Sequence, residues 1–348
     1  MQEFARAPAL AARLSAAFAC FAALGCGPSP QAKEPAGAAG TPPAAAVGRR
    51  APPELSERER QFAEQLRQHV EELSVKIGER NADKKWELAS AADYLAGAFE
   101  QAGYSVDRQG YESSNGEIAA QNLAVELLGS VQSDEIVVVG AHYDSARGSA
   151  GADDNASGAA AVLVLARAFR RENPGRTLRF VQFTHEKPPF WRSDEMGSLV
   201  YAKRAVGNGE KIVGMISIDA IGGRVASRAG SAGDLSEALV LLGNAESRPL
   251  LDQALTTFLK HASVSASGSA SGDPERLSCS DQWAFWQVGY PALLVTGAPR
   301  LTAAQNVPVD DVDSLDFERM ARVVAGLEAV ITELVTVAAP TAVTAPPE

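Results

Sequence analysis

Apolar residues recur in the first part of the chain with the period of an α-helix. One stripe is formed by Phe62, Leu66, Val70 and Leu73. Residues spaced three and four apart share a helix face, so this stripe predicts an amphipathic helix. Ser56 and Glu59 have the spacing of a capping box and place its start after Ser56. A second helix is predicted for Trp86–Ala102, which Gly103 ends.

Beyond this helical start, short apolar runs alternate with helical patterns. Strands are predicted at Tyr104–Val106, Asn122–Leu128, Glu135–Gly140, Leu178–Phe183, Ile212–Ile218 and Ala292–Thr296. Helices are predicted at residues 157–171, Glu195–Ala205, Pro249–His261 and Leu315–Val335. Alternation of this kind indicates an α/β protein. We therefore expect a three-layer α/β/α sandwich, with helices on both faces of a mostly parallel central sheet.

The first 26 residues have the pattern of a signal peptide. Arg6 and Arg13 precede the apolar run Leu14–Leu24, which is too short to span a bilayer. The run leads into Ala23-Leu24-Gly25-Cys26, which resembles a bacterial lipobox. We therefore expect Cys26 to be lipidated and to anchor an exported, cell-envelope protein to a bacterial membrane. Secretion without lipid and an uncleaved segment are the alternatives.

Composition separates the remaining chain into a domain and two flanking segments. Residues 27–53 are rich in Gly, Pro and Ala, and residues 338–348 are similar, so a disordered tether and a disordered tail are predicted. The folded domain is then 54–337. The net charge of −11 and the lack of any Lys/Arg block argue against nucleic acid as a partner. Cys279 is alone beyond the leader, so this domain has no intrachain disulfide.

The most informative stretch is Val137–Gly158. It begins as a buried strand and delivers His142 and Asp144 at the carboxyl end, where ligands bind in open α/β sheets. A small-residue loop then leads to Asp154. An imidazole, a carboxylate to orient it and a further carboxylate form a pattern typical of a metal site. Later predicted strands also end in ionisable residues, at His185-Glu186-Lys187 and at Asp219.

Several segments resemble family 28 of the metallopeptidases, the co-catalytic zinc aminopeptidases. The match is most specific at GAHYDS and GADDNASG within Gly140–Gly158. It continues through Glu186–Tyr201, through Ser280-Asp281 and the following Phe285 to Pro291, and through Pro308 to Asp316. The resemblance covers about residues 55–335. It implies hydrolysis of N-terminal peptide bonds by two zinc ions that share one bridging carboxylate.

Site roles follow from this resemblance position by position. His142 matches a zinc ligand, Asp144 its orienting partner and Asp154 the bridging carboxylate, which a cis peptide bond follows in relatives. Glu186 matches the general base that acts on the bridging water. Asp219 matches the carboxylate ligand of the other zinc.

Two ligand positions depart from the family pattern. Lys187 stands where the family has a glutamate, and Asn306 stands where it has a histidine. Each metal therefore loses one ligand and keeps two, below the usual three of catalytic zinc. Lys187 can pair with Asp154 in place of a metal, or extend to solvent. His185 is a candidate replacement ligand, and Gln282 replaces a histidine common in relatives.

These substitutions leave more than one function open. The resemblance implies an aminopeptidase with a peptide substrate, but the substitutions predict dizinc activity that is weak or lost, with one zinc or none bound. The alternative is a non-catalytic protein that uses the acidic pocket for binding or interaction. A single-metal hydrolase or cyclase is less favoured, because glutaminyl cyclases of this fold hold zinc at the positions of Asp154, Lys187 and Asn306. Oligomeric state and N-terminal residue preference are left open.

Overall fold

The computed structural model describes residues 53–112, 118–223, 239–271, 280–297 and 310–337, which all belong to one compact unit. The predicted signal peptide with Cys26, the tether as far as residue 52, Asn306 and the predicted tail lie outside these ranges. The signal peptide, the lipidation of Cys26, the tether and the tail therefore stay predictions. Within the described ranges, no helix is both long enough and apolar enough to cross a membrane.

The described strands form one eight-stranded sheet. They are β1 (Asp107–Glu112), β2 (Ile118–Leu127), β3 (Gln132–His142), β4 (Arg176–Phe183), β5 (Lys211–Asp219), β6 (Leu239–Asn244), β7 (Ala266–Ser271) and β8 (Ala292–Gly297). Their order is β1-β2-β4-β3-β5-β8-β6-β7. The central strands β4, β3, β5 and β8 are parallel, and the flanking β2 and β6 run antiparallel to them. The predicted parallel centre is confirmed.

Helices cover both faces of this sheet. They are α1 (Glu57–Glu71), α2 (Lys85–Gln101), α3 (Gly158–Phe169), α4 (Gly197–Gly207), α5 (Arg248–His261), α6 (Gln282–Gln287) and α7 (Phe317–Val335). Side chains alternate along β3, so Val137 and Val139 join the core with α1, α2, α3, α5 and α7. Ile136 and Val138 join the core with α4 and α6 on the other face. The three-layer α/β/α fold is confirmed.

The predicted elements differ from the structure mainly near the sheet edges. The strand expected at Tyr104–Val106 begins instead at Asp107, because Tyr104 is buried and its hydroxyl donates to the carbonyl of Ala166 at 2.8 Å. The edge strands β1 and β7 carry mostly polar or small residues, which give no apolar pattern. The strand β6 and the short helix α6 were also not predicted.

Candidate metal centre

Four predicted site residues meet at one edge of the sheet. His142 ends β3 and Asp219 ends β5, and Glu186 is the third residue after β4. Because β4, β3 and β5 are parallel neighbours, their carboxyl ends lie side by side. Asp154 reaches the same edge from the loop between β3 and α3, where the Asp154–Asn155 peptide bond is cis, as the resemblance implied.

His142 is fully buried at the centre of this group. Its Nδ1 lies 3.0 Å from the backbone oxygen of Asp144. With Nδ1–H donating to this oxygen, Nε2 is the ring nitrogen directed toward the carboxylates. Nε2 lies 3.3 Å from Asp154 Oδ1, and 3.7 Å each from Glu186 Oε2 and Asp219 Oδ1. Potential ligand atoms of His142, Glu186 and Asp219 all lie within 4.8 Å of one another.

Asp144 orients two parts of the site. It is buried, and its Oδ1 lies 3.3 Å from His142 Nδ1. Its two oxygens also accept the backbone N–H groups of Glu186 and Lys187, at 3.2 and 3.0 Å. Burial alone would raise the pKa of Asp144, but the hydrogen bond and charge of His142 outweigh burial and lower it. The carboxylate therefore ties the end of β3 to the segment after β4, as expected of an orienting residue.

Lys187 turns into the site. Its ammonium lies 2.8 Å from both carboxylate oxygens of Asp154 and 2.8 Å from Glu186 Oε2. Only 9% of the residue is exposed, so the alternative in which Lys187 extends to solvent is wrong. The predicted contact with Asp154 is present. The site therefore contains a fixed cation that the protein itself supplies.

The charges in this pocket are strongly coupled. Burial raises the pKa of Glu186, and the nearby Lys187 and His142 only partly oppose it. Burial would lower the pKa of His142, but Glu186 and the hydrogen-bonded carboxylates raise it well above its usual value. Opposite charges thus stabilise each other within a desolvated cluster.

Two further carboxylates lie beside the cluster, and the sequence patterns predicted no role for them. Asp281 is fully buried, and burial raises its pKa to about 7. Asp310 accepts the backbone N–H groups of Asp153 and Asp154, at 2.6 and 3.2 Å. Asp310 therefore holds the loop that presents Asp154. The only signal for these residues was their place in the segments that resemble the family.

Arg80 is a buried cation beneath the same loop, and nothing in its sequence context indicated this. Its guanidinium donates to the backbone oxygens of Leu73, Gly78, Tyr143, Ala150 and Gly151. Burial lowers the pKa of Arg80 to about 10, and the charges of Asp144, Asp310 and Asp154 oppose this. Arg80 therefore stays charged at neutral pH and fixes both ends of the loop after β3.

His185 does not join the cluster. Its ring stacks on Phe190 with the centroids 3.8 Å apart, and Tyr111 meets it edge-on at 5.8 Å. Its backbone φ is 57°, so the chain is not extended at His185. Gln282 is buried at the start of α6. Asn306, the other substituted ligand position, lies outside the described residues.

The fold and the site together define an α/β protein with a metal-type centre at the carboxyl ends of parallel strands. The model of peptidase family M28 matches residues 122–331, and the chain belongs to this family. The family is zinc-dependent, and the buried His142, Glu186 and Asp219 could hold a metal ion.

Curated relatives support the same assignment. The uncharacterized protein YfbL of Escherichia coli is 30% identical over 285 residues, which cover 76% of this chain and 86% of the relative. Leupeptin-inactivating enzyme 1 of Streptomyces exfoliatus is 30% identical over 167 residues, which cover 45% of this chain and 35% of that enzyme.

Solved structures share the fold at lower sequence identity. LapB from Legionella pneumophila superposes with a TM-score of 0.65 at 19% identity, covering 80% of this chain and 73% of that chain. An aminopeptidase from Aneurinibacillus sp. strain AM-1 gives 0.62 at 16% identity, with coverage of 80% and 95%. A glutaminyl cyclase from Bacteroides thetaiotaomicron gives 0.59 at 18% identity, with coverage of 78% and 97%. These likenesses show the fold alone.

Proposed function

We propose that this protein binds peptides by their N-terminal end and has weak or no two-zinc peptidase activity. The observation that carries the proposal is the Lys187 ammonium, 2.8 Å from both oxygens of Asp154. In the family, the carboxylate at the position of Asp154 bridges two zinc ions. An ammonium bound to both oxygens competes with both metals for that bridge.

The described donors fit two zinc ions poorly. One imidazole and three carboxylates face the centre, and the Lys187 ammonium lies 2.8 Å from two of those carboxylates, Asp154 and Glu186. Catalytic zinc needs three protein ligands, so two separate ions require more donors than this set offers. Asparagine at position 306 adds at best a neutral carbonyl oxygen, which suits harder cations than zinc.

Glu186 is also poorly placed to act as a general base. Its Oε2 lies 2.8 Å from the Lys187 ammonium. The ammonium occupies the oxygen that would receive the proton and lowers the pKa of Glu186, although burial leaves that pKa above its usual value. The residue type required for the family reaction is therefore present, but its charge is already used in an ion pair.

Peptides remain the best-supported ligand class. The chain belongs to a peptidase family, and its relatives and structural neighbours include aminopeptidases. The acidic pocket suits the positive N-terminus of a peptide. The glutaminyl cyclase likeness extends to the fold, but two of the three positions that would hold a cyclase zinc carry Lys187 and Asn306. A cyclase is therefore less supported.

Activity and peptide binding can be measured on the same sample. With added zinc, we expect the full chain to hydrolyse leucine p-nitroanilide at less than about one per cent of the rate of an active family member. A tripeptide with a free N-terminus should bind in calorimetry at least tenfold more tightly than its N-acetyl form. Rapid hydrolysis that Glu186→Gln abolishes, but that Glu64→Gln at an exposed position of α1 does not, would contradict the proposal.

We further propose that the protein is exported and held at a membrane by lipid on Cys26. The support is the leader pattern and the lipobox-like Ala23-Leu24-Gly25-Cys26. In a bacterial host fed with labelled palmitate, the full chain should take up label and Cys26→Ser should not. Cys20→Ser is the matched control and should keep the label. Unlabelled wild-type protein, or labelled Cys26→Ser, would remove the support for an anchor.

A further inference from the structure

We infer that the pocket is a mononuclear metal site, in which one divalent cation is bound by His142, Glu186 and Asp219 while Lys187 takes the place of the family's second metal. The inference deepens the proposed function and rests on its premise that the Lys187 ammonium pairs with Asp154. In this inference Glu186 is a metal ligand instead of a general base.

The first argument is the orientation of a buried nitrogen. His142 is 0% exposed, and its Nε2 makes no hydrogen bond of regular geometry to the described residues, with Asp154 Oδ1 3.3 Å away. Nδ1 is already engaged with Asp144, so Nε2 is the ring nitrogen that faces the carboxylates of the pocket. A buried imidazole nitrogen that faces three carboxylate oxygens at 3.3 to 3.7 Å is arranged as ligands are around a metal ion. A metal ion there would be bound by this nitrogen and by carboxylate oxygens together.

The second argument is geometric. His142 Nε2 lies 3.7 Å from Glu186 Oε2 and 3.7 Å from Asp219 Oδ1. Ligands at zinc-bonding distance around a tetrahedral ion are about 3.3–3.6 Å apart. The two distances from His142 are close to this range, and all three donors lie within 4.8 Å of one another, so a contraction of the pocket would close them around one ion. They complete the three-ligand set of a zinc site, and all three residues are buried.

The third argument is charge. Asp154, Glu186 and Asp219 face His142 with three carboxylates, and Lys187 supplies one compensating ammonium. Buried charges need partners, and the remaining excess of negative charge matches one divalent cation. Two divalent cations beside the ammonium would exceed the negative charge of these three carboxylates. Lys187 lies 2.8 Å from both oxygens of Asp154, so both oxygens of the carboxylate at the family's bridging position already contact an ammonium.

Zinc titration of the purified full chain tests the inference. After removal of metal with a chelator, calorimetric titration with zinc sulfate should give one ion per chain. His142→Ala and Asp219→Asn should each weaken zinc binding at least tenfold. Glu186→Gln should also weaken it at least tenfold, because a ligand is lost. Glu64→Gln, the matched change at an exposed glutamate, should leave the affinity unchanged.

The outcomes separate this inference from the proposed function. No zinc bound would overturn the inference and leave the proposed function standing. Two ions per chain with peptidase activity would overturn both. One ion per chain with unchanged affinity in Glu186→Gln would also overturn the inference, because Glu186 would then not be a ligand. If a variant loses its thermal unfolding transition, the wild-type stoichiometry and a Co²⁺ titration, with absorbance saturating at one equivalent, still decide the question.

Discussion

The double substitution Lys187→Glu with Asn306→His is expected to raise hydrolysis of leucine p-nitroanilide at least a hundredfold in the presence of zinc. It removes the ammonium that lies 2.8 Å from Asp154 and returns one carboxylate and one imidazole to the family's ligand positions. Each zinc would then have three protein ligands. The expected zinc stoichiometry rises from one to two per chain.

Each single substitution should give much less than the pair, because the two metals act as one catalytic unit and such residues are strongly non-additive. The matched control is Lys84→Glu with Asn208→His, which makes the same changes at exposed positions. This control should leave both rate and stoichiometry unchanged. A folded double variant that still binds one zinc or none would show that the positions of the lost ligands are wrongly assigned.

An ammonium replaces only part of what a zinc ion does in such a site. It neutralises Asp154 and Glu186 and donates hydrogen bonds to them. It has no vacant coordination position, so it cannot bind a water molecule and lower its pKa, and it polarises a carbonyl less than a divalent ion. The proposed function therefore assigns Lys187 the role of neutralising the acidic cluster without supplying the hydrolytic chemistry of a zinc ion. Membership of the family and peptidase activity are then separate properties.

The long amphipathic helices and the central strands could be predicted from the sequence. The stripe from Phe62 to Val70 is buried, and the capping box at Ser56 is present. Apolar runs at β3 and β5 mark the buried centre of the sheet. At the edges of the sheet, the apolar pattern of a strand is lost because an edge strand has a neighbouring strand on one side only. There β1 is mostly exposed and β7 is made of small residues, so neither has a period to detect.

The candidate site could likewise be predicted only in part from the sequence. The sequence could predict that His142, Glu186 and Asp219 lie together, because each is at or just after the end of a strand in the parallel centre of the sheet. Arg80 could not, because its partners are backbone oxygens, and backbone oxygens have no sequence signature. Asp281 could not be assigned a role either, because its burial depends on how α6 packs over the sheet.

Arg80→Met is expected to lower the free energy of unfolding by about 3–5 kcal/mol, the usual effect of breaking a buried polar network. Methionine keeps most of the volume of the side chain but removes the guanidinium donor of Tyr143 O, and it removes one of the two donors of Leu73 O and Gly151 O. For a domain of this size the melting temperature should fall by on the order of 10 °C. Urea unfolding and calorimetry on the full chain measure both quantities.

The matched control is Arg147→Met, which changes the same residue type in the loop that Arg80 supports. Arg147 and its partner Asp83 have side chains 63% and 55% exposed, so their ion pair should contribute little to stability. Arg147→Met should change the unfolding free energy by no more than about 0.5 kcal/mol. Because Arg80 also fixes the loop between His142 and Asp154, its loss should weaken zinc binding with no change in the ligands themselves. Equal stability of the two variants would show that solvent replaces the guanidinium at no cost, and that the loop holds its shape without it.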